Sequence, residues 1–134
     1  MCGWLKRSAA LAVLILVAAG CNLSTTAPTP YPTPDLPRVE FLAPVNGSRV
    51  FDGAELDVEL LAQDDTAGIS RVELLVDDQP QGESQPEANS VPVYRVLLSW
   101  RATGIGVHPL TAIAYRADGT PSDPVTILVE VVSR

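Results

Sequence analysis

From Arg38 onward, apolar side chains recur at every second position. Val39 and Phe41 open the pattern. Leu56, Val58, Leu60 and Ala62 then alternate with Asp57, Glu59 and Leu61, and Val72, Leu74 and Val76 alternate with Arg71, Glu73 and Leu75. Val96, Leu98 and Trp100 repeat it, as do Leu110, Ala112 and Ala114, and finally Val125, Ile127, Val129 and Val131. A period of two marks strands with one buried and one solvated face. Turn-forming residues separate the runs: Pro44-Val45-Asn46-Gly47, the stretch from Asp64 to Gly68, Asp77-Asp78-Gln79-Pro80, Thr103 to Gly106, and Ala117 to Pro124. No window holds a helical period. About seven short strands divided by turns predict an all-β, antiparallel β-sandwich over residues 38–134.

The chain before Arg38 is built differently. Lys6 and Arg7 precede Ser8–Gly20, 13 residues without a charge. A spanning helix needs about 20 apolar residues, so this run fits the central region of a secretory signal peptide. Its end, Ala18-Ala19-Gly20-Cys21, resembles the lipobox of bacterial lipoproteins, with Ala18 where leucine is usual. The resemblance implies removal of residues 1–20 and a covalent lipid on Cys21, which anchors the mature chain to a membrane. Asn22 rather than aspartate implies, by the same resemblance, the outer membrane in two-membrane bacteria. The alternative is ordinary signal cleavage with Cys21 incidental. Residues 21–37 then form a linker. Pro28, Pro30, Pro32, Pro34 and Pro37 fall among Thr, Ser and Ala. Proline excludes helix and central strand, and such a segment extends at about 3.1 Å per residue. The sixteen residues after Cys21 reach roughly 50 Å, enough to hold a domain off the membrane.

Composition narrows the partners. Without Lys6 and Arg7 the chain keeps seven arginines against sixteen aspartates and glutamates. That balance argues against nucleic acid and anionic membrane surfaces as electrostatic partners. Cys2 and Cys21 are the only cysteines, so the sandwich has no disulfide, thiolate cluster or cysteine nucleophile.

Several pieces together resemble bacterial immunoglobulin-like domains of the Big type: "VEFLAPVNGSRV", "LLAQDDTAGISRVELLVDD", Trp100, "GVHPLTAIAY" and "VTILVEVV". The resemblance spans nearly all of residues 38–134. It departs at "RADGTPSD" and at the longer "QPEANSVPV". It implies an immunoglobulin-like sandwich found in secreted and surface proteins. In antibody-like sandwiches a tyrosine sits two residues before the second core cysteine. In Gly106-Val107-His108-Pro109-Leu110, His108 takes the tyrosine position and Leu110 the cysteine position. An aliphatic pair, Leu110 with Val58 or Leu60, then replaces the disulfide, and Trp100 fills the sandwich end.

Candidate chemistry is sparse. His108 is the only histidine, and between Val107 and Pro109 a structural role is expected. No Gly-rich phosphate loop, GxSxG or His/Cys cluster is present. One end of the sandwich gathers Asp64, Asp65, Glu83, Glu87 and Asp118. Asp64, Asp65 and Asp118 could supply oxygens to calcium; the preferred reading is that Asp64 caps its own turn and Asp118-Gly119 is a turn. No other cofactor is implied. The alternation also turns Leu75, Ile113, Tyr115, Leu128 and Val132 outward on one sheet. These either form a partner surface or lie scattered, with Arg71 over Tyr115 as a cation–π pair. The opposite end, with Asn46-Gly47, Asp77-Asp78 and Thr103-Gly104, should face away from the membrane. The expectation is a non-catalytic, lipid-anchored extracytoplasmic module for cell-surface binding, adhesion or spacing, with a protein or polysaccharide partner. The second reading is an accessory subunit docking a membrane or envelope complex through the apolar sheet face.

Overall fold

A computed structural model describes residues 28–30 and 34–134. The expected signal segment, Cys21 and most of the linker lie outside the described residues.

The alternating runs form eight strands: β1 (Arg38–Ala43), β2 (Ser48–Phe51), β3 (Glu55–Gln63), β4 (Arg71–Val76), β5 (Gln79–Ser84), β6 (Val93–Arg101), β7 (Gly106–Tyr115) and β8 (Val125–Val132). They make two sheets, ordered β1-β3-β6 and β2-β8-β7-β4-β5. No helix occurs among the described residues. Every ladder is antiparallel except β2 on β8, which is parallel.

The strand count exceeds seven because the first strand is split between the sheets. β1 pairs with β3, setting Val39 beside Ala62 and Phe41 beside Leu60. The chain then crosses at residues 44–47 and continues as β2 along β8, with Val50 beside Val131. The Asn46-Gly47 signal therefore marks a crossover, not a hairpin at the far end. Its backbone is stitched to the middle of β8: Gly47 N–H donates to the Leu128 carbonyl at 2.7 Å, and Leu128 N–H donates to Asn46 Oδ1 at 2.8 Å. Asp77-Asp78, by contrast, makes a two-residue turn between the paired Val76 and Gln79. Both aspartates have positive φ, 52° and 63°, as a type I′ hairpin requires.

The core lies between the sheets. Val58, Leu60 and Ala62 face Val72, Leu74, Leu110, Ala112 and Val129, all fully buried. Burying a side chain of this size contributes about 1.5–3 kcal/mol. Leu110, Val58 and Leu60 occupy one aliphatic cluster where an antibody domain has its disulfide.

The strand directions define two ends. The entry end, where β1 starts, carries the loops at 64–70, 85–92 and 116–124. The far end carries the turns at 52–54 and 77–78 and the loop at 102–105.

Candidate functional site

At the entry end, Asp64 leaves β3 with its side chain only 1% exposed. Its Oδ1 accepts the Thr66 and Ala67 N–H groups at 3.1 and 3.4 Å, so it caps its own turn. The Arg116 guanidinium completes the site, donating from Nε to Oδ2 at 2.5 Å and from Nη2 to Oδ1 at 3.2 Å. Arg116 holds the Asp64 carboxyl below the usual carboxylate range, against the opposing effect of burial. A carboxylate so held is a poor proton acceptor.

Arg116 also reaches Asp35 at 3.2 Å, and Pro37 is fully buried. The last residues of the expected linker thus pack with the sandwich. Beside them runs a mainly apolar groove of about 220 Å³, lined by Leu36, Pro37, Val39 and Val125 among others.

Asp118 Oδ1 accepts the Thr120 N–H at 2.9 Å, which lowers its pKa. Asp65 and Glu87 are exposed, and Glu83 pairs with Arg71 at 3.2 Å. Among the described residues no three His, Cys, Asp or Glu side chains gather closely enough to hold a metal ion. The oxygens of Asp64 are already taken by the arginine and the backbone.

At the far end, the alternation of β7 turns His108 inward, two residues before Leu110. Its ring meets Trp100 edge-on, with centroids 5.5 Å apart and planes at 61°. Trp100 is 5% exposed and fills this end of the core. Nδ1 lies 2.6 Å from Asp77 Oδ2, and Nε2 lies 2.5 Å from the Gly104 carbonyl. The second contact reaches backbone four residues upstream, the form of a tyrosine corner with imidazole in place of phenol. Both ring nitrogens face acceptors, so the imidazolium, donating twice, satisfies the site. Accordingly the Gly104 carbonyl and then Asp77 raise the His108 pKa above 6.5, against burial. Gly104 is fixed from its other side by Asp52, whose Oδ1 accepts the Gly104 N–H at 3.1 Å.

The third feature is the outer face of the five-stranded sheet. Leu75, Ile113, Tyr115, Leu128 and Val132 all point outward there, but unequally. Leu128 is 47% exposed and the other four are half-buried. Tyr115 is withdrawn from the surface: the Arg71 guanidinium lies 3.8 Å over its ring, and its hydroxyl donates to Glu73 at 3.1 Å.

Sequence alternation missed two members of this face. Phe51, 56% exposed, arrives with β2 and sits beside Val132. Val107, 59% exposed, lies beside Glu130. Running the β7 alternation back from Leu110 through His108 to Gly106 would have found Val107. Phe51 sits in a four-residue strand too short for a periodic signal. Charges on the face are paired, Arg49 with Glu130 at 2.8 Å and Arg71 with Glu83. The outer face of the three-stranded sheet is mixed: Glu55, Asp57, Glu59, Arg95 and Arg101 lie along β3 and β6, beside the exposed apolar side chains of Leu42, Val93 and Leu97.

An antiparallel sandwich with the chain's first strand shared between sheets, an aliphatic pin and a corner residue bonded upstream is an immunoglobulin-like domain. Residues 37–112 match the family described as bacterial Ig domain, and the chain belongs to that family. β8 lies beyond the matched segment and completes the larger sheet.

Among solved structures, fibronectin(III)-like modules of Clostridium thermocellum CbhA are 29% identical with a TM-score of 0.59. The match covers 72% of this chain and 100% of the module. The CARDB domain of PF1109 from Pyrococcus furiosus is 13% identical at a TM-score of 0.55, covering 75% and 99%. The SrpA adhesin of Streptococcus sanguinis is 18% identical at 0.55, covering 77% of this chain and 60% of the adhesin. The last two share the fold. No curated protein matches the chain.

Proposed function

We propose that this chain is a lipid-anchored, extracytoplasmic immunoglobulin-like module that acts without catalysis, in cell-surface binding, adhesion or spacing. The carrying observation is how the fold uses its polar groups. Asp64 is consumed by Arg116 and its own turn, and His108 by Asp77 and Gly104. What remains distinctive is surface, above all the apolar outer face of the five-stranded sheet. The lipobox resemblance at Cys21 and the proline-rich linker supply the tether. Asp35 and Pro37 pack at the entry end, so a tether arriving there presents the far end outward. One protein of similar fold is an adhesin, which is in keeping with this role.

A second reading rests on the same face: an accessory subunit that docks a membrane or envelope complex through Leu75, Ile113, Leu128 and their neighbours. Capture of the intact protein from its own membranes, with Leu75→Ser/Ile113→Ser in parallel, separates the two. A stoichiometric protein partner lost in the variant marks a docking subunit. Retention on cell-wall or polysaccharide material, without a protein partner, marks a surface binder. Loss of membrane association with Cys21 intact and the chain full length would sink both.

A further inference from the structure

β6 is the outer strand of the β1-β3-β6 sheet and pairs with β3 on one side only. It matches β3 in unbroken register, from Val93 beside Gln63 to Arg101 beside Glu55. Bonds just beyond its two ends show which way its backbone points. Asp64 N–H donates to the Pro92 carbonyl at 2.9 Å, and Ala102 N–H donates to the Ala54 carbonyl at 2.8 Å. The even-numbered positions therefore turn their main-chain groups toward β3. These directions alternate along an antiparallel strand, so Val93, Arg95, Leu97, Ser99 and Arg101 turn theirs to the free edge. Among the described residues those groups have no backbone partner. The same side chains are exposed, Val93 by 54% and Leu97 by 68%.

A bare edge is a template for another strand, and folds blunt their edges with short strands, proline, bulges or charge. The other edges here are blunted. β1 is bulged between Phe41 and Ala43 and stops at Pro44. β2 has four residues. β5 contains Pro80, and its ladder slips between Leu74 and Leu75. β6 has no proline, glycine or bulge. Arg95 does not guard it, because its guanidinium is drawn back over β3 to Glu59 at 2.6 Å.

We propose that β6 pairs antiparallel with β6 of a second copy of the chain, about a two-fold axis through Leu97, joining the two three-stranded sheets into one. The edge is complementary to itself. Centred on Leu97, Arg95 meets Ser99, Val93 meets Arg101 and Leu97 meets Leu97. Every residue of the free edge then exchanges both main-chain bonds with its opposite number, and no like charges stand directly opposite. Moving the centre one residue toward Arg101 sets Arg95 against Arg101. Moving it one residue toward Val93 leaves Arg101 beyond the end of the facing strand. On the inner side Tyr94 meets Trp100 and Val96 meets Leu98, so the core-facing row stays apolar across the junction. The contact is isologous, as closed two-fold symmetry requires. In such a pair the entry ends lie at opposite ends, so the two tethers leave in opposite directions, which suits chains anchored on facing surfaces. That consequence rests on the reading of the chain as a tethered binding module and gives it a partner.

Cysteine capture on the full-length protein, solubilised from its membranes in mild detergent, tests the pairing. Cys2 and Cys21 are the chain's only cysteines, so the parent chain gives the background. Residues that face each other in this way lie about 5.5 Å apart at Cα, within reach of a disulfide. Chains carrying Arg95→Cys, mixed with chains carrying Ser99→Cys, should form a disulfide-linked mixed dimer under mild oxidation. Its yield should be at least fivefold above that of either chain alone, because position 95 faces position 99 and not itself. Adding Leu97→Lys to both chains sets like charges opposite at the axis and should lower the mixed yield at least fivefold. Position 97 is exposed, and circular dichroism melts should show the fold intact. Equal yields alone and mixed overturn the proposal, as does a mixed yield that Leu97→Lys leaves unchanged. Membrane association of the parent chain reads the tether separately, so a failed tether leaves the cross-linking result decisive for the pairing.

Discussion

Replacing His108 by glutamine should make stability lose its dependence on pH near neutrality. In the native fold both imidazole nitrogens face acceptors, Asp77 at 2.6 Å and the Gly104 carbonyl at 2.5 Å. The imidazolium donates to both. When the ring loses a proton, one contact becomes acceptor against acceptor and is lost. A hydrogen bond to a charged group contributes about 1.5–3 kcal/mol. Asp77 is 50% exposed, and solvent screening puts this one at the lower end, about 1.5 kcal/mol. For a domain near 100 residues that is a difference of about 6–12 °C in Tm. The folded pKa is raised above the unfolded 6.5. The stabilisation is therefore complete below about 6.5 and disappears as pH rises through the folded value. Thermal melts followed by circular dichroism from pH 5 to 9, for the parent chain and His108→Gln, give the difference directly. Other carboxylates titrate in both proteins and cancel. The gap in Tm should be largest at pH 5 and shrink toward pH 9. A gap that stays constant over the range would show that the imidazolium does not form, and the reasoning would be wrong.

Asp64→Ala should cost about 1–3 kcal/mol, because it removes the buried acceptor of two turn N–H groups and leaves Arg116 with the exposed Asp35 alone. Urea unfolding at pH 7 reads this. The depressed Asp64 carboxyl stabilises the fold above its unfolded 3.8, and that contribution should fade as pH falls through the folded value. Leu110→Ala, at the fully buried centre of β7, should cost about 2–5 kcal/mol in the same assay. Gly104→Ala should lower stability by about 1–2 kcal/mol from backbone conformation, since Gly104 sits at φ +94°; a Cβ there would only touch His108 at 3.5 Å. Leu128→Ser, on the outer face, should leave the melt within about 0.5 kcal/mol, and a larger loss would mean that this face is held within the fold.

The alternation of Val58, Leu60, Leu74, Leu110 and Val129 with polar neighbours made the sandwich legible, because a strand buried on one face must repeat every second residue. The Asp77-Asp78 turn was legible for a related reason: aspartates tolerate positive φ. The crossover at Asn46-Gly47 was not legible. The same dipeptide serves a hairpin or a strand that changes sheets, and only the bonds to Leu128, 82 residues away, decide. Arg116 carried no signal either, since a lone arginine after a strand gives no hint that it will clamp Asp64 and Asp35. Phe51 escaped because four residues are too few to show a period. Position within a strand set which side chains face outward, and Arg71 over Tyr115, one of the two readings of that face, is the arrangement found.

The account depends most on the tether, and the most direct test is the intact mass of the protein extracted from its own membranes, beside Cys21→Ala. The expected product begins at Cys21 and carries the added mass of thioether-linked diacylglycerol, with or without a further acyl chain; Cys21→Ala should lack both the lipid and the cleavage. A mature chain with an unmodified Cys21, or one that keeps residues 1–20, would contradict a lipid-anchored module.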